Sequence, residues 1–282
     1  MAGLDQNAIN AAFSQPEHDG RFVGAFADYI SQLAHRRRAV VLAFPPKAAG
    51  TFLRSAAIVA IDGQLIRITH AQGGRDAQPY VPILLAYYSG HLGRKTMVTH
   101  VHMQALEGNR GIVNVFGLKP IAMIRSIPDM LASYWDMLEI DDAALADGLN
   151  CQFPRNFRSL PRSRQGDFLV DIVAPWYAGY YATWIDYAAQ SPDRVLMLDY
   201  GEFLKAPDIA LETALRHAGV ARSREVCQRA VEDVWKERTQ WRYNQGVAGR
   251  GREYFSARQI QRVACLLGHY PALDAFAERL VR

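Results

Sequence analysis

Short apolar runs alternate with amphipathic stretches along most of this chain, which is the pattern of an α/β protein. Runs typical of buried strands occupy 39–44, 64–69, 96–102, 120–124 and 194–200. Stretches with the helical spacing of apolar residues occupy 51–61, 107–116, 130–138, 176–190 and 209–218. Because strands and helices alternate, we expect one α/β domain with a central, mostly parallel sheet flanked by helices.

The segments outside these elements differ in character. The pattern of residues 1–38 predicts an N-terminal helical segment that ends in a basic cluster. We expect residues 39–282 to form the main domain. A loop rich in glycine, proline and polar residues spans 70–82, and the pattern of 139–168 indicates an irregular or lid-like insertion. Residues 242–255 form a loop rich in glycine and arginine, which a helical stretch follows.

Composition and charge narrow the class of protein. The chain has 282 residues, half of them hydrophobic, with a net charge of +4 and a pI near 9.0. This modest excess, mostly arginine, suits a small polyanionic ligand better than a nucleic-acid track, so we expect no nucleic-acid partner. No apolar run is long enough for a transmembrane helix, and residues 1–13 lack a signal-peptide pattern. The cysteines Cys151, Cys227 and Cys265 lie far apart and are typical of reduced, partly buried thiols, so we expect a cytoplasmic protein.

One stretch combines a buried strand, a turn of small residues and a helix. It reads PPKAAGTFL at 45–53, directly after the first apolar run. Such a turn binds phosphate or sulfate through its backbone N–H groups and the positive end of the helix dipole. Lys47 adds a charge, and Thr51 adds a hydroxyl that also suits a helix cap. The stretch is not a Walker A motif, because the lysine precedes the glycine. On its own it fits a plain loop with a surface lysine equally well.

Four separated pieces of the sequence together resemble one family. They are PPKAAGTFL at 45–53, the histidines at 100 and 102, IRSIPDMLASY at 124–134 and NQGVAGRGR at 244–252. With these pieces the chain resembles sulfotransferases that use 3′-phosphoadenosine 5′-phosphosulfate (PAPS), over about residues 39–256, and the motifs resemble those of bacterial members. The resemblance implies a single α/β domain of the P-loop-kinase type and PAPS as the sulfuryl donor.

The resemblance implies a role for the first piece in binding the 5′-phosphosulfate. The residues of this loop that match the family are Lys47, Ala49, Gly50 and Thr51. Phe52 falls where the family often has an aromatic residue near the adenine. One extra residue separates the lysine from the glycine, compared with the commonest cytosolic form of the motif.

The resemblance also implies a site for the 3′-phosphate of the donor. The family uses an arginine just after a strand and a serine eight residues on, and Arg125 and Ser133 match that spacing. A guanidinium makes a planar, bidentate contact with a phosphate, and a serine adds a hydroxyl donor. Taken alone, the pair fits an ordinary strand-end arginine and a serine inside a helix.

A glycine-rich loop near the C-terminus closes on the same phosphate in the family. The matching run contains Asn244 and Gly246, and the family's two basic residues are replaced here by Asn244 and Gln245. Three flanking arginines are candidates for the missing charge: Arg242, Arg250 and Arg252. Tyr200 is a further candidate, because it resembles a tyrosine that the family places near the adenine.

Sulfuryl transfer resembles phosphoryl transfer, in which catalysis depends on positioning and on charge stabilisation. Lys47 is placed to neutralise the charge that builds on the leaving phosphate, and a histidine is the usual base for the proton of the acceptor. His100 and His102 both qualify, and we favour His102 from the sequence. At least one of them is expected to be a core histidine. A metal-binding H-x-H pair is an alternative, but no third ligand is near, and the resemblance implies no metal.

Two other functions fit parts of the sequence. The first is a P-loop-like nucleotide-dependent kinase, with Asp199 as its magnesium ligand, and the second is a non-catalytic module that binds an anionic nucleotide. For the transferase, the sequence predicts a hydroxyl or amine acceptor on a small molecule or glycan, such as a carbohydrate or natural product. The oligomeric state is left open, and a dimer is among the options.

Overall fold

The structure is a computed structural model, and it describes residues 24–25, 28–30, 32–33, 37–70, 78–142, 145, 152–237 and 248–282. Parts of four predicted segments lie outside these residues: most of 1–38, the middle of the loop at 70–82, residues 143–144 and 146–151 of the insertion at 139–168, and the start of the loop at 242–255.

Five strands form one parallel sheet. They are β1 (Ala39–Leu42), β2 (Gln64–Leu65), β3 (Met97–His100), β4 (Pro120–Ile124) and β5 (Leu196–Asp199). Their order is β2-β3-β1-β4-β5, and every neighbouring pair is parallel. The expected α/β domain with a central parallel sheet is therefore confirmed.

Helices cover both faces of this sheet. Those before β5 are α1 (Gly50–Ile61), α2 (Val81–Tyr88), α3 (Glu107–Val115), α4 (Ile127–Ile140), α5 (Arg162–Phe168) and α6 (Ala174–Gln190). Those after it are α7 (Tyr200–Lys205), α8 (Pro207–His217), α9 (Arg224–Lys236), α10 (Gly251–Tyr254), α11 (Ala257–Leu267) and α12 (Ala277–Val281). Two 3-10 helices, Phe157–Ser159 and Pro271–Phe276, and a π-helix, Leu169–Val173, are also present, and the described residues 24–25, 28–30 and 32–33 are helical.

The core lies on the central strands and the helices next to them. Every residue of β1, β3 and β4 is buried, as expected for strands covered on both faces. Helix α4 is buried from Ile127 to Trp135, and α6 brings Tyr180 and Trp184 fully inside. Burying such aromatic side chains removes a large apolar area from water, which is the main stabilising contribution to the fold.

The structure corrects several sequence predictions. The strand expected at 64–69 joins the sheet only at Gln64–Leu65, and Thr69 forms a separate antiparallel bridge with Pro79. The strand expected at 96–102 ends at His100, so His102 lies beyond it. The second half of 139–168 is ordered around an aromatic cluster in which Phe157 packs edge-on against Phe153. Of the cysteines, Cys227 is buried and Cys265 is exposed, and Cys151 lies outside the described residues.

Helix α9 has no counterpart among the sequence predictions. Its buried side chains are small or short and follow the i, i+3, i+4, i+7 pattern: Cys227, Ala230, Val231 and Val234. The rest of this helix is strongly polar, which hides the apolar stripe in a scan for hydrophobic runs. This helix packs directly against α1 and therefore supports the loop that precedes α1.

Candidate active site

The sheet order creates a crevice at the carboxyl ends of β1 and β4. The chain leaves β1 towards β2 on one side of the sheet, and it leaves β4 towards β5 on the other. In open α/β sheets, ligands bind at the point where the connections diverge in this way. Lys47 follows β1 and Arg125 follows β4, so the two predicted phosphate-binding residues lie on either side of this crevice.

The loop after β1 holds an unusual backbone conformation. Lys47 and Ala49 have φ angles of 65° and 60°, in the left-handed region that favours glycine. Helix α1 begins at Gly50, and its N-cap, Ala49, supplies no capping side chain. Thr51 lies in the first turn and is therefore not the cap that the sequence suggested. The first N–H groups of such a helix have no intrahelical partner, which suits them to an anion.

Gly50 makes room for a histidine. A Cβ atom built on Gly50 would lie 2.2 Å from Nε2 of His100, which no real side chain tolerates. Ala49, and not Gly50, has the left-handed conformation. Position 50 requires a glycine for a steric reason, because a side chain there would collide with His100. The imidazole of His100 is 7% exposed, and the ring of His102 lies 5.1 Å from it, centroid to centroid. Both histidines thus lie together beside the start of α1.

Arg125 is fixed from three directions. Its Nη1 donates a hydrogen bond to the carbonyl oxygen of Lys47, and its guanidinium lies 4.1 Å from the ring centroid of Tyr200. The hydroxyl of Tyr181 accepts from the backbone N–H of Arg125 and donates to its carbonyl, each over 2.9 Å. Arg125 is 7% exposed, and its Nε has no partner among the described residues. This buried, incompletely bonded guanidinium fits an anionic group of a ligand.

Three tyrosines of α6 hold the backbone around the crevice, and sequence reasoning did not find them. Tyr180 donates to the carbonyl of Ala43, Tyr177 donates to that of Pro46 over 3.3 Å, and Tyr181 holds Arg125. Burial raises the pKa of Tyr180 and of Tyr181 well above the usual value, so both hydroxyls stay protonated donors. Their i, i+3, i+4 spacing in the aromatic-rich stretch was the available signal.

The remaining predicted residues lie around the same crevice. The side chain of Lys47 is half-buried, with Nζ 3.8 Å from Sδ of Met137 on α4. Ser133, also on α4, is 3% exposed. Phe52 is 7% exposed and packs edge-on against Phe203 and Trp235, with ring centroids 5.9 and 5.8 Å away. One face of Tyr200 is covered by Arg125, so this tyrosine supports the arginine.

Three of the five C-terminal candidates lie outside the described residues, and Arg250 and Arg252 lie within them, Arg252 with an exposed side chain. Arg242, Asn244 and Gly246 lie outside the described residues. Arg250 is described, and its Nη2 donates to Asp136 over 2.9 Å and to the hydroxyl of Tyr254 over 2.8 Å. Since an ion pair already engages this guanidinium, Arg250 has a structural partner that the sequence did not reveal.

Neither a metal-ligand cluster nor a membrane-spanning helix occurs among the described residues. Within residues 37–70, 78–142, 152–237 and 248–282, no three histidine, cysteine or acidic side chains are grouped as metal ligands. In the part of the chain that the structure describes, no helix combines the length and the apolarity that a bilayer crossing needs.

Comparisons with known proteins place the fold. No protein-family model matches the chain, and no curated protein sequence matches it. Among solved structures it is similar to mouse sulfotransferase SULT7A1 complexed with PAP, with a TM-score of 0.60 and 13% sequence identity, over 86% of this chain and 87% of that one. It is also similar to retinol dehydratase in complex with androsterone and inactive cofactor PAP, with a TM-score of 0.49 and 13% identity, over 84% and 80% of the two chains.

The sheet order and the crevice between β1 and β4 define an α/β protein with an open, parallel, doubly wound sheet. The likeness to the mouse enzyme makes the assignment narrower: the chain has the sulfotransferase fold.

Proposed function

We propose that this protein is a PAPS-dependent sulfotransferase. The observation that carries the proposal is the hydrogen bond from Arg125 to the carbonyl of Lys47, because it joins the two predicted phosphate sites into one crevice. The sulfotransferase fold supports the same conclusion, since a solved structure of that fold contains PAP. PAP denotes adenosine 3′,5′-bisphosphate, the product that PAPS leaves after transfer.

The residues of the crevice fit the two charged ends of this donor. The start of α1 and Lys47 would hold the phosphosulfate, and Arg125 with Ser133 would hold the 3′-phosphate. When bound, PAPS supplies an activated sulfuryl group. The protein contributes the ammonium group of Lys47, which neutralises charge on the leaving phosphate, and N–H donors that are fixed before the reaction begins.

The base is assigned to His100 in this proposal. A base acts only within hydrogen-bonding reach of the proton that it removes. His100 lies directly against Gly50, at the loop where the sulfuryl group would be held, and His102 lies beside it. The sequence favoured His102 slightly, but this arrangement supports His100 as the base, with His102 as its neighbour.

A kinase is the runner-up, and the surroundings of Asp199 weigh against it. The carboxylate of Asp199 caps α7 by accepting from the N–H of Glu202 over 2.9 Å, and it also pairs with Arg279. An acidic residue engaged in this way is a poor magnesium ligand. The non-catalytic module remains the second alternative, and it would bind PAP without transferring sulfate.

The acceptor is proposed only by class. We propose a hydroxyl or amine of a small molecule or glycan, such as a carbohydrate or natural product, and a cytoplasmic location for the reaction.

A thermal-shift panel tests the proposed function. PAP should raise the melting temperature, because a ligand at about 100 times its Kd stabilises a protein by about 2.7 kcal/mol. AMP lacks the 3′-phosphate and should stabilise the protein far less than PAP. The shift in melting temperature with ATP should be the same with and without magnesium. A larger shift with ATP and magnesium than with PAP would identify a kinase instead. Binding of PAP without sulfate transfer to a panel of hydroxyl and amine acceptors would identify the binding module.

A further inference from the structure

Two carboxylates on α4 hold a C-terminal segment against the proposed nucleotide site. Asp129 lies in the first turn of α4 and is 2% exposed. Its Oδ2 accepts from the N–H of Gly249 over 2.7 Å, and its Oδ1 accepts from the N–H of Gly251 over 2.8 Å. A buried carboxylate that binds two backbone donors 120 and 122 residues away fixes the position of both segments.

The second carboxylate acts two turns further along the same helix. Asp136 accepts from Nη2 of Arg250 over 2.9 Å and from the hydroxyl of Tyr254. The side chain of Arg250 is only 9% exposed, so this ion pair is shielded from solvent on its arginine side. Residues 249–254 are therefore attached to α4 at two points.

The backbone contact at Gly251 is closer than a side chain allows. A Cβ atom at that position would lie 2.4 Å from Cβ of Pro128 and 2.7 Å from the backbone carbon of Pro128. The glycine is required because the C-terminal chain crosses the first turn of α4 in direct contact with it. Gly249, with a φ angle of 85°, makes the bend that precedes this crossing.

The attachment lies on the face of α4 that carries Ser133. Asp129, Ser133 and Asp136 have i, i+4, i+7 spacing, which aligns their side chains along one side of a helix. The turn that precedes this helix carries Arg125. Arg125 and Ser133, the residues proposed to bind the 3′-phosphate, thus lie on α4 and the turn before it. Asp129 and Asp136 join this same unit to residues 249–254.

We propose that Asp129 and Asp136 are positioning residues for the 3′-phosphate end of the site. They touch neither donor nor acceptor, and they set the distance between the Arg125–Ser133 unit and the C-terminal segment that follows the glycine-rich run. This inference rests on the proposed function, because it assigns the two carboxylates to the same nucleotide site. Removal of either carboxylate should weaken nucleotide binding more than it slows sulfuryl transfer at saturating donor.

The test compares Asp129→Asn with Asp167→Asn as a matched control. Asp167 also ties a C-terminal helix to the body of the protein, by accepting from Gln259 over 3.2 Å and from Arg262 over 2.6 Å. Calorimetry with PAP should show affinity reduced about tenfold or more in Asp129→Asn and unchanged in Asp167→Asn. In steady-state assays, the KM for PAPS should rise in Asp129→Asn while kcat stays within about twofold.

The second variant keeps the test decisive if Asp129→Asn does not fold. Tyr254→Phe removes only the hydroxyl bonded to Asp136, and it should weaken PAP binding by a smaller factor. Folded variants of both kinds that bind PAP as tightly as the unmodified protein would overturn the positioning role. A failure of the unmodified protein to bind PAP would instead refute the proposed function, so the two failures are distinct.

Discussion

Arg125 donates a hydrogen bond from its guanidinium to the backbone carbonyl of Lys47, a residue 78 positions earlier in the chain. The bond links the turns that follow β1 and β4, which are neighbours in the sheet. Two cationic side chains are thus brought to one crevice although their charges repel each other. An anionic ligand between them would relieve that repulsion, and this is the physical basis of the proposed site.

The first prediction concerns Arg125 itself. Arg125→Ala should weaken PAP binding by roughly tenfold to 150-fold, since a hydrogen bond to a charged group contributes about 1.5–3 kcal/mol. Arg125→Lys keeps the charge and loses the planar fork of the guanidinium, so its affinity for PAP should lie between those of the unmodified protein and Arg125→Ala. Calorimetric titration with PAP measures the effect.

The control for this series is Arg110→Ala. Arg110 forms an ion pair of 2.8 Å with Asp186, outside the crevice, so its removal should leave PAP affinity unchanged. Equal losses in Arg110→Ala and Arg125→Ala would show that the effect arises from general destabilisation.

The second prediction separates the two histidines. His100→Ala should lower kcat by about a hundredfold or more, in keeping with the usual contribution of a general base. His102→Ala should have a smaller effect on kcat and a larger effect on the KM for the acceptor. PAP affinity should be nearly constant in both variants. A normal kcat in His100→Ala would remove this histidine from the role of base.

The third prediction concerns the backbone of the loop after β1. Ala49 has a φ angle of 60°, a conformation that costs an L-residue roughly 1–2 kcal/mol and costs glycine almost nothing. Ala49→Gly should therefore increase the free energy of unfolding by about 0.5–1 kcal/mol, after the entropy that glycine loses on folding. Urea denaturation provides the measurement.

Asp62 offers the comparison for Ala49→Gly. It has a φ angle of 48° at the C-cap of α1, far from the crevice, and Asp62→Gly should give a smaller gain, because aspartate tolerates this conformation better than alanine and the variant loses the exposed ion pair with Lys95. If Asp62→Gly stabilises the protein and Ala49→Gly does not, the positive φ angle of Ala49 does not destabilise the loop after β1. Contacts of the Ala49 side chain would then outweigh the backbone strain.

The fourth prediction is a pH dependence of stability at Asp199. Burial alone would raise the pKa of this carboxyl, but the hydrogen bonds from Arg279 and from the N–H of Glu202 bring its pKa below the usual value. A carboxyl with a lowered folded-state pKa stabilises the fold at pH values above its unfolded pKa of about 3.9, and this stabilisation is lost as pH falls through the folded-state pKa.

Asp199→Asn tests this dependence because the amide oxygen still caps α7. The variant should melt below the unmodified protein at pH 7, and the difference should shrink as pH falls towards about 3. A difference in melting temperature that stays constant over this range would show that the charge of Asp199 contributes nothing.

The sequence was informative wherever local pattern decides structure. The buried strands β1 and β4 are continuous apolar runs, β5 is a partly buried apolar run that ends in Asp199, and the loop at Lys47 is marked by the two prolines before it. The run at 124–134 also predicts correctly that Arg125 follows a strand and that Ser133 lies in the helix after it. These features depend on residues that are close in the chain.

The sequence was uninformative wherever distant segments meet. Nothing near Asp129 indicates that it binds Gly249 and Gly251, and nothing near Tyr181 indicates that it holds Arg125. The extent of β2 depends on its single pairing with β3 at the sheet edge, which an alternating pattern does not reveal. Contacts of this kind are set by the tertiary fold.

The most direct test of the central claim is a crystal structure of the protein with PAP bound. The account predicts the 5′-phosphate at the start of α1 within reach of Lys47, and the 3′-phosphate within hydrogen-bonding distance of Arg125 and Ser133. Density for PAP elsewhere on the protein, or a molecule that contacts Lys47 while its 3′-phosphate points away from Arg125, would contradict it.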